Sequence, residues 1–129
     1  MFQMMDAYLR NGAPYSNTEK DYWWIFGGKG GYTRCEIVNE LLERPYNAHQ
    51  LAEKLDKSYN NVKYHLRVLI KNYLIKSDNR KYSRFFFIVK NFKREHFKDI
   101  YELMSENERY KMNKTKLKSF IRRMKNKKG

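Results

Sequence analysis

Four glycines flank a lysine in the segment GGKGGYTRCE, residues Gly27 to Glu36, and a threonine follows where a helix can begin. Such residues build phosphate cradles, because a chain without side chains brings its amides close to an anion. A P-loop also needs Ser or Thr directly after the lysine, placed so that the hydroxyl meets magnesium. Here Gly30 follows Lys29, and Thr33 stands four positions beyond the lysine. The acidic partner that a second strand of an open α/β sheet would supply is missing as well. The expected role of the glycines is therefore conformational. They let the chain turn after the aromatic cluster Tyr22 to Phe26 and carry the amides of the next helix toward a polyanion backbone. On this reading Gly30, Gly31, Thr33 and Arg34 are phosphate-contact candidates, with Lys29 as an added point charge.

Other chemistries find less support. No serine, cysteine or carboxylate pair is spaced against a histidine in a nucleophile motif, so no enzyme is expected. Metal sites need three or four converging ligands. The sequence has one cysteine, Cys35, and its histidines, His49, His65 and His96, fall on three different predicted elements. No metal, cofactor or small-molecule effector is expected.

The strongest chemical signal is charge and its placement. The chain of 129 residues carries a net +14. Residues 57–94 hold 11 basic side chains against the single Asp78, and residues 111–129 hold 9 with no acid. The remaining segments, 1–56 and 95–110, are slightly acidic. Segregation of this kind creates a one-sided field, as a polyanion-binding surface requires. With one cysteine, no signal-peptide pattern at the N-terminus and no long apolar run, a soluble cytoplasmic protein without a membrane partner is expected.

The elements that must position these charges can be read in order. Thr33-Arg34-Cys35-Glu36 fits a capping box, followed by Ile37, Val38, Leu41 and Leu42 at helical spacing as far as Pro45. Asn47 to Gln50 forms a second cap, leading into a short helix with Leu51, Ala52 and Leu55. A turn at Asp56 to Ser58 opens a third helix whose buried stripe is Val62, Leu66, Leu69 and Tyr73. The period then becomes that of strands: Leu74 to Ser77, a polar turn over Asp78 to Lys81, and a β-rich run from Tyr82 to Val89. Three helices and a charged hairpin describe a winged helix-turn-helix, mainly α with a small β-hairpin wing (α+β) and flanking helices.

In that fold the second helix of the motif enters the major groove. Its outer face carries Tyr59, Asn60, Lys63, Tyr64 and Arg67, all hydrogen-bond donors and so candidates for reading bases. Ser58 at the helix start, Asn79, Arg80 and Lys81 at the wing tip, and Arg84 on the returning strand are candidates for the DNA backbone or minor groove.

The segment from Gly27 to about residue 88 resembles the archaeal ArsR-like winged-helix transcription regulators. The matching positions are Thr33-Arg34, Arg44-Pro45, Asn47-Ala48, Gln50-Leu51-Ala52, Tyr59, Val62 and His65-Leu66. The resemblance implies a DNA-binding regulator. It departs from metal-sensing relatives, which place cysteines or a His/carboxylate set on one helix.

Four segments result: an aromatic-containing extension over 1–26, the DNA-binding domain over 27–90, a C-terminal helix over 91–110, and a basic tail or amphipathic basic helix over 111–129. The first and third carry unpartnered apolar residues that can cover each other within one chain or meet across a two-fold axis. The homodimer is the expectation, with Trp23, Trp24, Phe97, Ile100 and Met104 at its interface. In the tail, Leu117, Phe120, Ile121 and Met124 stripe a lysine- and arginine-rich segment. A phosphate-contacting helix, a disordered arm and a membrane-surface helix all fit that pattern; a second basic block in the same chain favours nucleic acid. The expected partner is double-stranded DNA. The alternative is a non-specific or architectural binder of DNA or RNA using the same surface.

Overall fold

The computed structural model describes residues 19–127. Residues 1–18 of the predicted extension and the last two of the tail lie outside it. The first element is a helix, α1 (Glu19–Gly27), in which Tyr22, Ile25 and Phe26 occupy the buried side while Trp23 and Trp24 face out. A short turn leads to α2 (Gly31–Glu43). It begins three residues earlier than the capping-box pattern implies. Gly30 is the N-cap residue, left-handed at φ 75°, and no side chain caps the helix. Thr33 therefore lies inside the first turn, and the expected Thr33–Glu36 box does not form.

The next cap does form. Asn47 Oδ1 accepts from the Gln50 amide at 2.8 Å and Gln50 Oε1 accepts from the Asn47 amide at 2.9 Å, opening α3 (Ala48–Leu55). Asp56, left-handed at φ 53°, ends α3. Ser58 Oγ then accepts from the Asn61 amide at 3.1 Å and starts α4 (Tyr59–Lys71). Val62, His65, Leu66 and Leu69 of α4 are buried against α2 and α3. Tyr73, placed on the α4 stripe by its spacing, instead follows the helix at φ 60°.

Three strands form the wing: β1 (Tyr46–Asn47), β2 (Ile75–Ser77) and β3 (Phe85–Ile88), in the antiparallel order β1-β3-β2. Ile75 pairs with Ile88 and Ser77 with Phe86, while Tyr46 pairs with Phe86 from the other side. The two residues of β1, just ahead of α3, were not legible as a strand. β3 starts three residues later than the β-rich run suggests, so the wing tip spans 78–84. The fold is a winged helix-turn-helix.

The last element is α5 (Arg94–Lys127), one continuous helix of 34 residues that joins the segment expected over 91–110 to the basic segment, expected as a tail or an amphipathic helix, over 111–129. Its first turns pack on α1 and α2. Phe97 and Ile100 are fully buried there, and Tyr22, Phe26, Phe92 and Phe97 form an aromatic cluster with centroids 5.0–6.4 Å apart. The Tyr22 hydroxyl accepts from the Lys93 amide at 2.8 Å, and burial pushes its pKa up to about 12. Phe97 and Ile100 are thus core residues of the single chain, which corrects their assignment to a dimer contact. Met104 packs at the edge of the same core. Cys35 is buried beneath α1, and burial raises its thiol to about 12.

Candidate nucleic-acid interface

The outer face of α4 is built by subtraction. Once Val62, His65, Leu66 and Leu69 turn inward, helical geometry leaves Tyr59, Asn60, Lys63, Tyr64 and Arg67 in solvent, and all five are exposed. The amides at the start of α4 are served by Ser58, so this side chain is committed to capping. Tyr59 is not free to swing. Its ring stacks on His49 at 4.1 Å with planes 13° apart, and Lys63 Nζ sits 5.3 Å above it. His49, exposed at the start of α3, thereby braces the turn between the two helices. From the sequence, His49 reads only as a member of the Asn47–Gln50 cap and as one of three dispersed histidines.

The wing stands beside this face. Between them lies a groove of about 650 Å³, with Leu66, Ile70 and Phe86 in its lining and Lys63, Arg67, Lys81 and Arg84 as its cations. No carboxylate lines it. The tip is shaped by Asp78. Its carboxylate accepts from the Arg80 and Phe85 amides at 3.2 and 3.3 Å, and its backbone amide donates to the Phe85 carbonyl at 3.0 Å. Arg80 Nε lies 3.6 Å from the same carboxylate, and its guanidinium sits over the Phe85 ring. Arg84 Nε donates to the Arg80 carbonyl at 2.6 Å. Asn79, Arg80, Lys81 and Arg84 are all exposed. Asp78, the one acid in the basic block, is what bends the loop that displays them.

The glycine-rich lead-in behaves differently from expectation. Gly31 is buried, and a Cβ there would collide with the Phe26 carbonyl, so the glycine exists for helix-on-helix approach. Its amide already donates to the Gly28 carbonyl at 2.9 Å. Arg34 is 6% exposed and points inward: Nε donates to the Ile25 carbonyl at 2.8 Å, Nη2 to the Lys29 carbonyl at 2.9 Å, and Nη1 to His65 Nδ1 at 3.1 Å. A cation placed over the last carbonyls of α1 satisfies acceptors that the helix cannot. Gly31 and Arg34 are therefore internal, which corrects their placement as phosphate contacts. Thr33 is half-buried, and Gly30 remains exposed. A left-handed Gly30 also keeps clear of the pair, since a Cβ there would lie 3.1 Å from both Arg34 Nη1 and His65 Cε1.

Arginine can only donate, so His65 Nδ1 is the acceptor and its proton sits on Nε2. Burial lowers the His65 pKa, and the charges of Arg34 and Lys57 push it the same way. The α4 helix is thus tied through a neutral histidine to α2 and, through Arg34, to α1. Among the described residues no group of three or more His, Cys, Asp or Glu side chains converges as a metal site.

Residues 32–77, from the first turn of α2 to the end of β2, match the family described as bacterial regulatory protein, arsR family. No curated protein matches the chain. Among solved structures, a mutant of Lactococcus lactis ZitR is similar over 66% of this chain and 57% of its own, at 22% identity and a TM-score of 0.44. This chain thus spans little more than half the length of ZitR. What it shares with arsR-family regulatory proteins is the stretch from Tyr32 to Ser77, which takes in α2 to α4 and strands β1 and β2.

Proposed function

We propose that the chain is a DNA-binding transcription regulator, in which α4 reads the major groove and the basic wing holds the adjacent backbone or minor groove. One observation carries this reading: five exposed donor side chains, Tyr59, Asn60, Lys63, Tyr64 and Arg67, share the outer face of the second helix of a helix-turn-helix. Asn60 suits adenine, Arg67 and Lys63 suit guanine or phosphate, and the two tyrosines suit phosphate, sugar or a thymine methyl. The arsR-family match over the same helices supports it. So does the groove beside that face, whose charged lining residues Lys63, Arg67, Lys81 and Arg84 are all cations.

A two-fold dimer belongs to the proposal, because such dimers read half-sites one helical turn apart. Its interface has to be sought among apolar side chains that the chain leaves outside, and Trp23 and Trp24 are such residues. Selection of bound sequences from a random duplex pool at near-physiological salt tests both parts. An enriched, roughly palindromic site is expected. A pool that emerges without enrichment, from protein that still retains duplexes, overturns base reading and leaves the non-specific binder in its place.

A further inference from the structure

Residues 111–125 of α5 are exposed without exception, at the end of a helix whose opening turns alone pack on the body. At 100° per residue, Leu117, Phe120, Ile121 and Met124 share an arc about 100° wide, and Tyr110 lies on the same arc about two turns toward the body. All five are roughly half-exposed or more. Cations border the arc on both sides: Lys114, Lys118 and Lys125 along one edge, Lys116 and Arg123 along the other. No acid occurs from 111 onward.

We propose that this half of α5 is an interfacial helix that seats on an anionic lipid surface, with the apolar arc in the acyl boundary and the flanking cations among the headgroups. The arrangement answers two requirements at once. An apolar face bordered by lysine and arginine needs both an apolar phase and negative charge, and an anionic bilayer offers the two together. A DNA duplex offers the charge but gives four large apolar side chains no place to go. A second copy of the same segment offers an apolar face, but brings equal positive charge to every edge. Nor does the acidic half of α5 supply a matching stripe, because Phe97 and Ile100 are already spent in the chain's own core. Among the described residues no helix is long and apolar enough to cross a membrane, so the contact lies along the surface.

The test is co-sedimentation of the full chain with vesicles of two parts phosphatidylcholine to one part phosphatidylglycerol, beside vesicles of phosphatidylcholine alone. Binding to the anionic vesicles and little to the neutral ones is expected. The double variant Phe120→Gln, Ile121→Gln should weaken that binding about tenfold or more, since each side chain loses its share of apolar burial. Because both positions are exposed, its thermal midpoint should match the parent's, which separates loss of the surface from loss of fold. Absence of vesicle binding overturns the proposal. So does binding that the double variant leaves unchanged, because the contact is then charge alone. A double variant that binds duplex DNA more weakly, or sediments as a smaller oligomer, while vesicle binding persists assigns the arc to those partners and also overturns it. None of these outcomes depends on whether α4 reads bases.

Discussion

Arg34 and His65 couple the parts of the molecule through a single pair of side chains. The arginine holds carbonyls at the end of α1 and the turn after it, and the histidine belongs to α4. Arg34→Met should lower stability by about 2–4 kcal/mol, because several buried groups lose their partner together; equilibrium urea unfolding measures it. The pair also sets a pH dependence. A histidine whose pKa is lower in the folded chain than its usual 6.5 binds fewer protons folded than unfolded. Its contribution is complete above about pH 6.5 and declines as the pH falls through the window below that value. Glu36 has the opposite sign: burial raises its carboxyl, so its contribution declines as pH rises through the acid range, with Lys57 opposing. Comparison with His65→Gln isolates the histidine. Glutamine retains an acceptor for Arg34 but does not titrate, so the parent's midpoint should fall as the pH drops below 6.5 while the variant's stays flatter. Identical profiles for the two proteins exclude His65 as the cause.

At the scale of elements, the helices and wing were legible wherever a local signal agreed with a global need. The Asn47 cap, the Val62-Leu66-Leu69 stripe and the Asp78 turn each appear in the structure because short-range chemistry suffices to fix them. The Thr33 box fails to form for a physical reason. Gly30 and Gly31 let α2 start earlier and press against Phe26, so its first amide donates to the Gly28 carbonyl of the turn and Thr33 falls inside the helix. Arg34 is ambiguous in the sequence for the same reason, since a basic residue beside glycines has the same local appearance whether it faces phosphate or a helix terminus. β1 is too short to carry a pattern of its own. Gly31→Ala tests the packing account: the added methyl has the Phe26 carbonyl in its path, so α1 must shift. A loss of about 1–3 kcal/mol is expected, against a gain of roughly 0.5–1 kcal/mol if the glycine were only an exposed helix position. For α4, Asn60→Ala should reduce the preference for the selected site over random duplex by about 1–3 kcal/mol. Arg80→Ala with Lys81→Ala should weaken every duplex and reduce the salt slope by up to about 2. Titrations of both variants against selected and random duplexes separate base reading from backbone holding.

Across the whole molecule, α5 divides into a half that belongs to the core and a half that belongs to a partner. Helix propensity alone hid the joint, because the segments read as acidic helix and basic tail run on as one rod about 50 Å long. The division makes deletion of residues 111–129 informative on three counts. Side chains 111–125 are all exposed, so their removal uncovers no core, and the thermal midpoint should move by no more than about 2 °C. If the duplex is held by α4 and the wing, the slope of log affinity against log salt should change by less than about 1 on deletion. Nine cations engaged on phosphates would instead flatten it by about 8. Vesicle association, in contrast, should disappear. A truncated protein that keeps its fold and its salt slope but no longer reaches lipid places the two basic blocks on two different partners. One that loses its salt slope places both blocks on DNA and returns the apolar arc of α5 to the duplex interface.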